Sequence, residues 1–316
     1  MTRPAPATRD DDADAAGEAA KPKGFPPILY VLAAALLWST GGLFIKATEL
    51  SAFELSFGRS LLAAVTVGYF TRREGFRVNR LTALLAVLYA ALLLLFVMAT
   101  KMTTAANAIF IQYTAPVYVL ILEPLIYKEK FRRRDAFVVA ACAVGIALFF
   151  VGRLRPEEMM GNLMAMLSGL CFAFFMLFIR HPRAGEVNRA SSIFYGSILL
   201  ALVTLPSFVA GAHRVEASDV GIMVFLGVFQ IGISYTLFTR GIERGVRSLD
   251  AALVGYIEPI SNPVWVFLFL GERPTPWALL GGAIIITAVV LHTYMSAREG
   301  VRARRAAAES HALGEG

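Results

Sequence analysis

Residues 108–130 read AIFIQYTAPVYVLILEPLIYKEK, and residues 251–273 read AALVGYIEPISNPVWVFLFLGER. Aligned at an offset of 143, Tyr113 meets Tyr256, Pro116 meets Pro259, Leu125 meets Leu268, and Glu129-Lys130 meets Glu272-Arg273. Shorter matches occur in the same order elsewhere: Leu43-Phe44-Ile45-Lys46 against Leu177-Phe178-Ile179-Arg180, and Ser60-Leu61-Leu62 against Ser197-Ile198-Leu199. Matches that keep their order along the chain mark an internal duplication. Both long stretches are apolar over close to the ~20 residues that cross a bilayer's hydrocarbon as a helix.

The same reading extends outward. Hydrophobic residues make up 57% of the chain and charged residues only 17%, too apolar for an ordinary soluble fold. Charge-free stretches of near-bilayer length predict spans at about 27–46, 52–71, 81–100, 103–127, 135–152, 161–180, 191–210, 218–239, 248–270 and 276–296, counted on the chain. Ten spans form two sets of five, 27–152 and 153–296, between tails at 1–26 and 297–316. Five is odd, so the second copy enters the membrane where the first leaves it and lies inverted. The expected fold class is therefore an all-α integral membrane protein of two inverted five-helix repeats. Residues 1–26 are rich in Ala, Pro and charge and read as a disordered tail without the apolar core of a signal peptide. From Arg298 the expectation is fraying or a short interfacial helix.

An even span count puts both ends on one side. Of the 30 Lys and Arg residues, Arg59 lies inside a span and six (Lys46, Lys101, Arg153, Arg155, Arg214, Arg273) fall in one set of loops. The rest crowd the opposite side, and the positive-inside rule makes that side cytoplasmic, in a plasma (inner) membrane. The net charge of +7 is thus a topology signal; no basic face for nucleic acid is read from it. Cys142 and Cys171 sit in apolar runs, with no metal-ligand spacing and no disulfide expected.

Leu37-Trp38-Ser39 with Lys46 closing the first span, Arg59-Ser60-Leu61-Leu62-Ala63 in the second, and Lys101-Met102-Thr103-Thr104-Ala105-Ala106-Asn107-Ala108 entering the fourth form a spaced pattern. With Pro116, the two Glu-basic span exits and Gly281-Gly282, this pattern resembles the drug/metabolite transporter superfamily, in its EamA-type ten-helix form, over about residues 27–296. The resemblance implies a carrier of small metabolites or drugs and names no substrate. Position 196, aligned with Arg59, is Gly, so the halves are not expected to contribute equivalent binding groups.

Ionisable groups inside spans are the first functional candidates, because a charge at a helix centre costs about 2.5–3.5 kcal/mol even on insertion scales. Glu258 lies near mid-membrane in the ninth span and leads the list; Asn262 is one turn on, above Gly255 and Ala251 on the same face. Pro259 and Pro263 free carbonyls one turn earlier, around Gly255, as potential solute contacts or as simple kinks. Gln112 shares a face with Pro116, Val119 and Glu123 and is read as cavity-lining. Arg59 could receive an anionic substrate, or neutralise Glu258 in a buried ion pair. Trp38, Tyr113, Tyr256 and Trp265 could form an aromatic box or serve as packing. Asp250 reads as the cap of the ninth span. Spans 5 and 10 are nearly devoid of polar groups and read as scaffold.

Three classes compete. The first is a secondary carrier, here an exporter, working by alternating access on a small-molecule substrate, with protons taken up by Glu258 as one energy source. The second is a membrane enzyme; no metal-protease motif, P-loop or nucleotide fingerprint is present, so no catalytic residues, metal or cofactor are expected. The third is a channel, a receptor or a flippase of a lipid-linked substrate. Substrate, direction, coupling ion and oligomeric state are not written in the sequence.

Overall fold

A computed structural model of the protein describes residues 26–73, 75–127, 133–148, 151, 156–179, 190–244, 246, 251 and 254–314. Among these residues there is no strand, and ten helical spans follow one another. α1 is Pro27–Ser39 and Gly41–Lys46, broken at Thr40; α2 is Ala52–Thr71; α3 is Arg80–Met102. α4 is Ala105–Gln112 and Ala115–Tyr127, broken at Tyr113-Thr114; α5 is Arg133–Leu148 and α6 is Pro156–Ile179. α7 is Ala190–Gly211, and α8 is continuous through Ala217–Val224, a π-helical stretch Phe225–Ile233 and Ser234–Glu243. α9 centres on Ile257–Leu270, with a turn at Tyr256 just before it, and α10 is Pro276–Gly314. The amino-terminal tail up to residue 25, the Glu129-Lys130 exit and the Asp250 cap lie outside the described residues.

Six of these helices are long and apolar enough to cross a membrane by length and composition, and Ala136–Leu148, Ile257–Leu270 and Pro276–His292 are shorter apolar helices. The tenth, α2, is 20 residues long and carries Glu54 and Arg59. Glu54 is accounted for locally. Ser51 N–H donates to Glu54 Oε2 at 2.8 Å and Glu54 N–H to Ser51 Oγ at 3.3 Å, a capping box that starts the helix, and Arg214 pairs with Glu54 at 2.6 Å. Thr104 caps α4 and Thr275 caps α10 in the same way, through the N–H groups of Asn107 and Ala278 at 3.1 Å each. α9 ends at Gly271, whose φ of 70° is the left-handed conformation that terminates helices.

The packing repeats itself when the halves are exchanged. α3 packs on α6 and α7, and correspondingly α8 packs on α1 and α2; α4 packs on α6, and α9 on α1. The pairs α2–α7, α4–α9 and α5–α10 map onto themselves. This is the arrangement of two five-helix repeats around a pseudo-twofold axis, and with five helices per copy the copies are inverted. Large apolar side chains that would face water in a soluble protein line the outside, including Phe137 (76% exposed), Leu125 (75%) and Phe269 (69%). A surface of that kind belongs in lipid.

Two expectations about span shape are corrected. Spans 1 and 4 are broken helices rather than continuous ones. In α4 the break follows from Pro116, which has no N–H to donate to the carbonyl of Gln112. Of the two alternatives from Arg298, fraying or a helix, the chain takes the helix, continuous with α10 to Gly314 in a segment rich in Ala and Arg, both strong helix formers.

Candidate functional site

The breaks in α4 and α9 fall at Tyr113 and Tyr256, the two tyrosines that the internal repeat aligns. Each stands three residues before its aligned proline, so one sequence device opens both helices. Across the gap, Tyr113 O–H donates to Glu258 Oε2 at 2.7 Å and lies 3.3 Å from the carbonyl oxygen of Gly255. Gly255 is one turn before Pro259, so this carbonyl is one that the proline leaves without its helical donor. The Tyr113 and Tyr256 rings stand 6.0 Å apart, centroid to centroid. The Glu258 carboxylate thus holds the two repeat-related helices together through one hydroxyl.

Beside this tie, α1 and α9 make a second polar contact. Trp265 Nε1–H donates to Ser39 Oγ at 2.9 Å. Asn262 is 1% exposed, and its side-chain oxygen and nitrogen are buried without a hydrogen-bond partner. It lies against Gly42, where an added Cβ would overlap the Asn262 amide. Gln230, within the π stretch of α8, points its Nε2 toward the Trp38 carbonyl at 3.5 Å and packs on Gly41, while its Oε1 is buried and unpartnered. π-helical turns recur at functional sites because they re-aim side chains without ending the helix. Gln230 and Ser39 were not singled out from the sequence; an intramembrane Gln in the eighth span was the available signal.

The other expected residues fall elsewhere. Gln112 Nε2 donates to Ser168 Oγ at 2.7 Å, and Ser168 in turn donates to the Leu92 carbonyl at 2.8 Å, so Gln112 belongs to a seam joining α4, α6 and α3. Of the four candidate aromatic side chains, Tyr113 and Tyr256 meet, the Trp38 ring meets Phe238 of α8 at 5.4 Å, and Trp265 bonds Ser39, the residue next to Trp38. Arg59 is 2% exposed and does not form the ion pair with Glu258; Glu258 is engaged by Tyr113, and Arg59 lies beside Tyr89 of α3. Its Nε and Nη1 have no hydrogen-bond partner.

At the face opposite the chain ends, charged groups tie the halves together. Lys46 Nζ sits 2.9 Å from Glu272 Oε2 and donates to the Thr103 carbonyl at 2.7 Å, and Ala105 N–H donates to Glu272 Oε1 at 2.7 Å. Lys101 donates to the Thr48 carbonyl, and Thr48 Oγ1 to Asp219 Oδ1 at 2.5 Å. The ends of α1, α3 and α9 and the starts of α4 and α8 are thereby latched. Charge-assisted bonds of this kind, only a quarter exposed or less at Lys46 and Glu272, are worth more than surface pairs. Glu272→Gln is expected to raise the rate at which an impermeant maleimide labels a cysteine at Ala106, just inside the latch, by roughly tenfold. An unchanged labelling rate would show that these bonds do not hold the face shut.

Comparison with known proteins agrees with this architecture. The EamA-like transporter family matches the chain twice, over residues 25–151 and 159–294. An uncharacterized transporter of Archaeoglobus fulgidus is 26% identical over 266 residues, covering 83% of this chain and 94% of that one. Human solute carrier family 35 member G1 is 23% identical over 287 residues, covering 83% and 76%. A solved crystal structure at 18% identity superimposes with a TM-score of 0.58 over 86% of this chain and 98% of the other, a likeness of fold. The twofold match spans nearly all of the membrane-embedded sequence, and the chain belongs to the EamA-like transporter family.

Proposed function

We propose that this membrane transporter is a secondary exporter of a small metabolite or drug, working by alternating access about the Glu258 region, with a proton returning through Glu258. The observation that carries the reading is the Tyr113–Glu258 hydrogen bond. It joins the broken segments of the two repeat-related helices, where inverted-repeat carriers hold solute and coupling ion. Protonation discharges the carboxylate, which removes the cost of a charge at that depth while the halves reorient. Asn262, Trp265, Trp38 and Gln230 would contribute hydrogen bonding and ring surface to the solute, with Tyr256 behind Tyr113. The Lys46–Glu272 latch supports a state closed at one face. The Lys/Arg bias favours both chain ends in the cytoplasm of an inner membrane, which makes the latched face the outer one.

Counterflow into liposomes separates this reading from its competitors. Purified protein reconstituted with a trapped unlabelled pool of amino acids, nucleosides, sugars and cationic dyes is expected to take up at least one labelled member of that pool saturably. That uptake should be several-fold faster than without the trapped pool. Flux without saturation or trans-stimulation would mean a pore, and no flux for any water-soluble solute would sink the carrier assignment.

A further inference from the structure

Arg59 is a buried cation for which the described residues supply no anion. A guanidinium stays charged and carries five N–H donors, yet here the side chain is 2% exposed with Nε and Nη1 unpartnered. It sits about 10 Å below the latched face, counted from the start of α2 at 1.5 Å per residue. Its surroundings hold hydroxyls in place of carboxylates. Ser56 lies one turn before Arg59 on the same helix face and Ser60 directly follows it in the chain, and both hydroxyls are buried without partners among the described residues. Tyr89 of α3 packs on Gly196 of α7 and interacts electrostatically with Arg59, and the hydroxyl of the next residue, Ser197, is buried within hydrogen-bonding reach of the Tyr89 phenol. Opposite, α8 approaches so closely at Gly227 that a Cβ there would stand 2.6 Å from the Arg59 carbonyl oxygen. The tight backbone contact fixes the base of the Arg59 side chain between helices of both halves.

We propose that Arg59 is the anchoring site for a carboxylate on the transported solute. A carboxylate only accepts hydrogen bonds, and its two oxygens match the guanidinium edge bidentately, so the buried donors of Arg59 with the Ser56 hydroxyl one turn before it suit it. A phosphate or other polyanion fits less well. Of the other described cations on the distal side, Lys46, Lys101 and Arg214 are already bonded to Glu272, Thr48 and Glu54 at the face itself, and Arg273 lies 6.0 Å from the centre of the Phe267 ring beyond the end of α9. The repeat places Gly196 where Arg59 would recur, so the second half supplies no equivalent cation at that position. This inference rests on the carrier reading above and narrows its substrate class to organic acids and zwitterions.

The test uses full-length detergent-purified protein, with thermal unfolding measured in the presence of acids and their uncharged amides: phenylacetate and phenylacetamide, nicotinate and nicotinamide, phenylalanine and phenylalaninamide. Wild-type protein is expected to be stabilised by at least one acid beyond its amide. Arg59→Met, which keeps length without charge, should unfold at the wild-type temperature or above without ligand and should show no acid preference. Arg59→Lys should retain the preference with affinity lowered about 10- to 100-fold. A marked fall in the unfolding temperature of ligand-free Arg59→Met, or its failure to fold, would assign Arg59 to structure and overturn the proposal. An acid preference missing in the wild type, or kept in Arg59→Met, would overturn it as well. Counterflow keeps the two readings apart. Transport of a solute with no acid group, unaffected by Arg59→Met, removes the carboxylate site and leaves the carrier; acid binding without flux removes the carrier and leaves the site.

Discussion

Glu258→Gln is expected to abolish solute movement driven by a pH gradient while leaving counterflow at zero gradient largely intact. The side chains are nearly isosteric, and the Gln carbonyl can still accept from Tyr113 O–H, so the tie between α4 and α9 survives. What is lost is the ability to take up and release a proton. If the carboxylate is the coupling group, the variant resembles the permanently discharged state, which reorients with solute bound but transmits no proton. Proteoliposomes with an imposed pH difference, compared in both assays, read the two properties separately. Undiminished pH-driven movement would eliminate Glu258 as the coupling site. Loss of both activities together would instead mean that the charge itself binds solute. The internal repeat sharpens the expectation: the residue aligned with Glu258 is Ala115, so the other half offers no carboxylate at the equivalent position.

The span pattern was legible because hydropathy and capping report on length. The expected 52–71 coincides with α2, whose start is fixed by the Ser51–Glu54 box, and the offset of 143 anticipated the pairing of halves seen in the packing. Backbone continuity was less legible. Pro259 and Pro263 announced freed carbonyls in the ninth span, but Pro116 stood as part of the repeat, of the spaced pattern and of one helix face, not as a break, although the same missing donor breaks α4 at Tyr113. Placing Gln112 on one face with Val119 and Glu123 assumed a helix uninterrupted between them, and the break removes that assumption. Contacts between spans were not written in any periodicity. Helical spacing relates residues of one helix, so nothing in it distinguishes an Arg59–Glu258 pair from the observed separation, in which Glu258 meets Tyr113 and Arg59 meets no anion. The π stretch of α8 that carries Gln230 has no composition signal that we can identify beyond Gly227 and Gly232 within it.

The second large effect is expected at the α1–α9 contact. Gly42 is where the broken half of α1 comes against Asn262, and any side chain there must displace a buried amide. Gly42→Leu should destabilise the protein by about 1–3 kcal/mol, the usual range for overpacking a close contact, and should eliminate transport by wedging α1 from α9. The compensating variant tells what Asn262 does. Its amide has no hydrogen-bond partner among the described residues, so truncating it removes no bond seen there and makes room for the leucine. Gly42→Leu combined with Asn262→Ala is therefore expected to recover most of the lost thermal stability. Transport should stay lost if the amide hydrogen-bonds the solute, because the double variant has the space but lacks the donor and acceptor. Recovery of both stability and transport would reduce Asn262 to a packing residue, and an unaltered unfolding temperature in Gly42→Leu alone would mean the two helices do not meet as closely as described.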